Sequence, residues 1–86
     1  LDIESRLAII LPILKDAAYR QRCRDFLERL RQARRDAHLT QVQVSRRLPR
    51  PQSFVSKCES GERTVDTVEL QEFARLYDKM LNFFVS

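Results

Sequence analysis

Residues 40–63 read TQVQVSRRLPRPQSFVSKCESGER, and their local chemistry predicts two short helices joined by a tight turn. Thr40 followed by Gln43 is a T-x-x-Q capping box, in which each end of the pair satisfies a backbone donor of the other, so a helix is expected from Gln41. Val44 and Leu48, four residues apart, form its inner face, and Ser45 is small enough to let a neighbour approach. Pro49 ends this helix, because the ring lacks an N–H and disfavours helical geometry in the residue before it. Pro51 suits the first position of a second helix, where the missing N–H costs nothing. That helix is expected over residues 51–59, stopping at Ser60-Gly61, where glycine accepts the left-handed conformation.

Outward from this core the same signals recur. Phe26, Leu27, Leu30, Ala33 and Ala37 repeat at helical spacing and predict a long helix from about Asp16 to Asp36. Asp66 with Glu69 is a second box-like start, followed by Leu70, Phe73, Ala74 and Tyr77 at i, i+3, i+4 and i+7. A last short helix over Leu81–Val85 brings Leu81, Phe83 and Phe84 inward. With one glycine, no tryptophan and no alternating stretch in 86 residues, the chain reads as all-α: a five-helix bundle preceded by an apolar helical arm. The arm is expected to form one or two turns on either side of Pro12. The division expected is an arm with the start of the first helix at 1–25 and a folded domain at 26–86.

Charge is concentrated. Residues 26–65 carry nine basic and four acidic side chains, whereas residues 66–86 carry two and four. With a pI near 9.6, this basic middle fits a polyanionic partner, or equally a solvated arginine-rich face. The hydrophobic block Leu7–Lys15 is too short to span a bilayer, is broken by Pro12 and follows no basic segment, so neither a membrane anchor nor a secretory signal is expected. Cys23 and Cys58 have no metal-site spacing and read as free thiols of a cytoplasmic protein. His38 is the only histidine and has no companion ligand. No paired carboxylates, nucleophile–base pair, phosphate loop or metal cluster points to an enzyme, and no cofactor is expected.

Two short helices joined steeply, the second presented outward, form a helix-turn-helix. The second helix then enters a major groove while the first crosses the backbone. Gln52, Ser53, Ser56 and Lys57 share its outer face and are the candidate base readers, since Gln pairs with adenine and Lys donates to guanine. Val55 and Cys58 point inward, and Phe54 is expected at the rim of the core. Gln41 and Ser60 lie at helix ends suited to phosphate contact. Arg46 and Arg47 suit either phosphate contact or solvent.

The segments TQVQVSRR and RPQSFVSKCESGER, with LQEFARLYDK downstream, resemble the Cro/C1-type helix-turn-helix of phage repressors and XRE-family bacterial regulators. The resemblance runs from about Phe26 to Phe84 and implies a lambda-repressor-like fold. It implies that Gln41, Arg50, Ser60 and Arg63 hold the DNA backbone, that Gln52, Ser53 and Lys57 read bases, and that Arg34 pairs with Glu59 as a structural ion pair. Two positions depart from the family: Ser45 stands where alanine is usual, and Pro49 where glycine takes a positive φ. Because a proline ring opposes positive φ, a different turn geometry is expected.

The function expected is sequence-specific binding of double-stranded DNA by a homodimeric transcriptional repressor. An alternative is the antitoxin of a toxin–antitoxin pair, holding a protein partner through Leu1–Leu14. A third is a protein-interaction module without DNA binding, for which Pro49 is the only support.

Overall fold

A computed structural model describes the backbone of residues 3–85 and the side chains of residues 16–85. It contains five helices: α1 (Ile3–Asp36), α2 (Gln41–Arg47), α3 (Gln52–Ser60), α4 (Thr67–Tyr77) and α5 (Leu81–Val85). α1 packs against α3, α4 and α5, while α2 packs against α3 and α4 against α5. The expected all-α architecture is therefore present.

α1 differs most from expectation. It continues through Pro12 as one 34-residue helix rather than breaking there. Proline removes one N–H from the ladder and crowds the carbonyl four residues back, yet its own φ is close to the helical value, so the cost is local. At 1.5 Å per residue such a helix is about 51 Å long, which accounts for the 54 Å long axis of the molecule. About six turns precede Phe26, the first of the described α1 side chains packed on the core. The apolar side chains of Leu1–Leu14 lie outside the described ones.

The core is built from Leu30 and Ala33 of α1, Leu39, Val44 of α2, Val55 and Cys58 of α3, Phe73, Ala74 and Tyr77 of α4, and Phe84 of α5. Aromatic contacts link these layers. Phe54, Phe73 and Tyr77 form a stack with centroid separations of 6.2 and 5.8 Å. Phe26 and Phe83 both meet Phe84, and Arg29 donates to the Phe83 carbonyl at 3.0 Å, fastening α5 to α1. Leu81, expected inside, is instead exposed: in a five-residue helix only one edge can face the core, and Phe84 with half-buried Phe83 occupies it.

Both predicted capping boxes form. Gln43 N–H donates to Thr40 Oγ1 and Thr40 N–H to Gln43 Oε1. Glu69 N–H donates to Asp66 Oδ1 and Asp66 N–H to Glu69 Oε1. Pro51 caps α3 with extended geometry, ψ 151°, instead of starting it, so α3 begins and ends one residue later than expected. Gly61 closes α3 at φ 86°, a backbone conformation that favours glycine; a Cβ there would lie 2.9 Å from Leu27 Cδ1, a side-chain end that would have to shift.

Three other helix ends use the left-handed region without glycine: His38 at φ 58°, Pro49 at φ 23° and Asp78 at φ 54°. At His38, the Leu39 N–H reaches the Arg34 carbonyl and the His38 N–H the Arg35 carbonyl. At Asp78, Lys79 bonds to Ala74 and Asp78 to Arg75. These are paired Schellman bonds. At Pro49 only the outer bond exists, from Arg50 N–H to the Ser45 carbonyl at 2.9 Å, because proline has no N–H to make the inner one. The expectation that Pro49 avoids positive φ is overturned. The turn keeps the outer bond of a left-handed helix end, and the ring stands at φ 23°, far from its usual value of about −65°.

Such a conformation stores about 1–3 kcal/mol, against about 0.4–1 kcal/mol of unfolded-state entropy that glycine would add. Pro49→Gly should therefore stabilise the domain by about 1 kcal/mol while leaving the turn unchanged. Urea unfolding followed by circular dichroism checks this, and an unchanged or lowered midpoint would contradict it.

Candidate nucleic-acid interface

The angle between α2 and α3 is set from inside by one carboxylate. Glu59, on the inner side of α3, is 3% exposed. Its Oε2 accepts from Arg34 Nε at 2.7 Å, and its Oε1 from Arg34 Nη2 at 3.2 Å and Gln41 Nε2 at 3.0 Å. Its backbone carbonyl accepts from Arg31 Nη1 at 2.7 Å. Arg34 also donates to the Leu39 carbonyl at 3.0 Å. α1, the loop into α2, and the first residue of α2 are thus all tied to α3. The pairing raises the Arg34 pKa against the opposing effect of burial.

With Glu59, Val55 and Cys58 turned inward, helical spacing turns Gln52, Ser53, Ser56 and Lys57 outward. All four are exposed, and their side chains have no protein partner. Arg46 and Arg47, at the end of α2, are in the same condition. No aspartate or glutamate occurs between Ala37 and Cys58, and Glu59 is buried and paired. The exposed surface of α2, the turn and α3 therefore carries Arg46, Arg47, Arg50 and Lys57 with no exposed carboxylate among them.

The four phosphate candidates differ in how free they are. Gln41 is half-buried with its amide committed to Glu59. The Ser60 hydroxyl donates to the Lys57 carbonyl at 3.2 Å and accepts from Glu62 N–H at 3.4 Å. Arg63 donates to Glu69 Oε1 at 2.7 Å and to the Thr64 carbonyl at 3.1 Å. Arg50 has no hydrogen bond or ion pair through its side chain; its guanidinium lies over the Phe54 ring, 4.8 Å from the centroid. The sequence shows residue types at these positions but not the internal work of Gln41 and Arg63, whose partners lie 18 and 6 residues away.

Three groups titrate abnormally around this site. The Glu69 carboxyl, 6% exposed, is held below the usual range by the Arg63 hydrogen bond, against the effect of burial. Burial pushes the Cys58 thiol up, with Arg63 opposing. Cys23 and Cys58 are both free, the first exposed and the second buried. Burial and the nearby Glu59 charge push the Tyr77 phenol far above its ordinary value. Its hydroxyl is the one buried side-chain polar atom without a partner among the described residues. Among those residues, no helix is long and apolar enough to cross a membrane, and no three metal-ligating side chains come together.

A family model described as a helix-turn-helix domain matches residues 25–78, more than half of the chain. It agrees with the Cro/C1-type resemblance of the motif and supports a DNA-binding function in general terms. No curated protein and no solved structure matches.

Two outcomes follow from the buried groups. Because the folded-state pKa of Glu69 is depressed, its contribution is complete above the ordinary glutamate value, about 4.3, and is lost as pH falls through the folded value. Glu69→Gln preserves the capping box but removes the charge, so it should lower stability at pH 7 and flatten the acid limb of a stability–pH curve; an acid limb as steep as the parent's would contradict the assignment. Tyr77→Phe removes an unpaired buried hydroxyl, whose burial costs about 1–3 kcal/mol, and should raise the thermal midpoint; a fall would show that the hydroxyl has a partner.

Proposed function

We propose that this chain, which belongs to the helix-turn-helix domain family, is a sequence-specific transcriptional regulator. In this reading it binds double-stranded DNA as a homodimer and acts as a repressor in the cytoplasm, at the nucleoid. The observation that carries this reading is the outer surface of α2, the turn and α3: four cations, no exposed carboxylate, and, beside Lys57 on the α3 face, the three unpartnered polar side chains of Gln52, Ser53 and Ser56. A solvated face normally mixes charges of both signs, whereas a phosphate-facing one does not.

α3 lies in the major groove with Gln52, Ser53, Ser56 and Lys57 toward base edges, while Arg46, Arg47 and Arg50 face phosphates. Gln41 reaches a phosphate through the part of its amide that Glu59 leaves free, and Ser60 and Arg63 flank the other end of α3. Two-fold symmetry requires half-sites about one helical turn apart. Phosphate neutralisation dominates affinity and makes it fall steeply with salt. Support for self-association comes from the exposed apolar side chains of Met80, Leu81 and Val85 and from the apolar block Leu7–Leu14 on α1, well before the domain core. The same block supports the second reading, an antitoxin that holds a protein partner through Leu1–Leu14. Co-purification with a partner that protects this segment distinguishes it.

Selection from randomised duplexes at near-physiological salt should enrich a palindrome. Gln52→Ala and Lys57→Ala should each relax preference at one base pair per half-site, at a cost of about 1–3 kcal/mol. Failure of the parent to enrich any sequence, with weak binding even at low salt, would reject the regulator reading.

A further inference from the structure

Arg50 stands in the turn between α2 and α3, with its backbone N–H fixed to the Ser45 carbonyl. Its guanidinium also feels the Glu69 charge, without a hydrogen bond to that carboxylate, and lies over the face of Phe54. That ring is itself held: it stacks on buried Phe73 at an interplanar angle of 12°, and Phe73 stacks on Tyr77. Arg63 also lies over Phe54, 4.7 Å from its centroid, and is anchored by Glu69 and the Thr64 carbonyl. Two guanidiniums therefore share one ring, and a single carboxylate, Glu69, is bonded to one of them. Two cations thus face one carboxylate, and the N–H donors of the Arg50 guanidinium are unused.

We propose that Phe54 is a positioning residue for DNA binding. Its ring holds the Arg50 guanidinium ready for a backbone phosphate, while Arg63 completes the clamp and is itself spent on Glu69. Cation–π stacking engages the guanidinium face and leaves its edge free. That edge is the part that bonds a phosphate bidentately. An arginine free in solution would have to give up its rotamer freedom on binding, whereas one already stacked does not. The target is phosphate because Arg50 precedes the first residue of α3, in the turn that docks beside the backbone. This assignment rests on the DNA-binding reading and adds to it the residue through which a phosphate contact is prepared.

The test measures affinity against salt for a duplex selected by the parent and for a scrambled duplex. The proteins are the parent, Phe54→Leu, Phe54→Tyr, Arg50→Ala and the Phe54→Leu/Arg50→Ala double variant. Phe54→Leu should weaken both duplexes roughly three- to tenfold and reduce the log–log salt slope by about one phosphate's worth, about 0.9. Phe54→Tyr should restore parent behaviour, and Phe54→Leu should have no further effect once Arg50 is alanine. Equal losses with and without Arg50, or an unchanged salt slope, would reduce Phe54 to a packing residue and overturn the proposal while leaving DNA binding intact. A parent that binds neither duplex would overturn the DNA reading and this assignment together.

Discussion

The carboxylate of Glu59 is the constraint on which the geometry of this domain depends. It is withdrawn from water and satisfied by Arg34 and Gln41, while its backbone carbonyl holds Arg31. A pair of this kind adds little net stability relative to a well-packed apolar substitute, because desolvation offsets attraction. Its value is directional. A hydrophobic contact between α1 and α3 would tolerate a range of rotations, whereas a two-point guanidinium–carboxylate contact does not. Rotation of α3 about its axis determines which four side chains face outward, so an interior ion pair fixes the register of an exterior surface.

The helix ends show a different balance. Four of the five helices end in left-handed residues, and only one of those residues is glycine. At His38 and Asp78 two carbonyls are satisfied by the paired bonds, which compensates part of the conformational cost. At Pro49 the compensation is smaller, since one donor is missing and the ring opposes the angle. That turn is nevertheless held from both sides, by the α2–α3 packing around Ser45, Val44 and Val55 and by the Arg50 bond to Ser45. Local strain persists where surrounding contacts determine the chain path more strongly than the residue itself does.

The same contrast separates what was legible in the sequence from what was not. The capping boxes at Thr40 and Asp66, the stop at Gly61 and the inward positions Val44, Val55, Phe73 and Tyr77 follow from interactions within a few residues, and they appear where their local chemistry places them. Pro12 and Pro49 mislead for a common reason: local rules state the cost of a proline, but not whether the rest of the chain can bear it. The outward face of α3 was legible from helical spacing. Less visible were the commitments of Gln41 to Glu59 and of Arg63 to Glu69, because a long polar side chain can reach many partners. The stack beneath Arg50 was hidden as well. Phe54 reads as a rim residue from spacing alone, and only the position of Phe73, on the next helix, turns it into a platform.

The distribution of cations then follows from the pairing. Of the basic side chains in residues 26–65, Arg31 and Arg35 are paired to Glu28, Arg34 to Glu59 and Arg63 to Glu69, while Arg29 is bonded to the end of α5. These five cations meet three carboxylates and one backbone carbonyl, so much of their charge is balanced within the domain. Arg46, Arg47, Arg50 and Lys57 remain, and all four lie on α2, α3 or the turn between them. A net charge of +4 spread over an 86-residue chain would create only a weak field. Because no exposed acidic residue lies on α2, the turn or α3, the field is focused on that surface, where the unpartnered polar groups of α3 also lie. The internal ion pairs therefore do two things at once: they set the orientation of the helix and clear its outer face of competing charge.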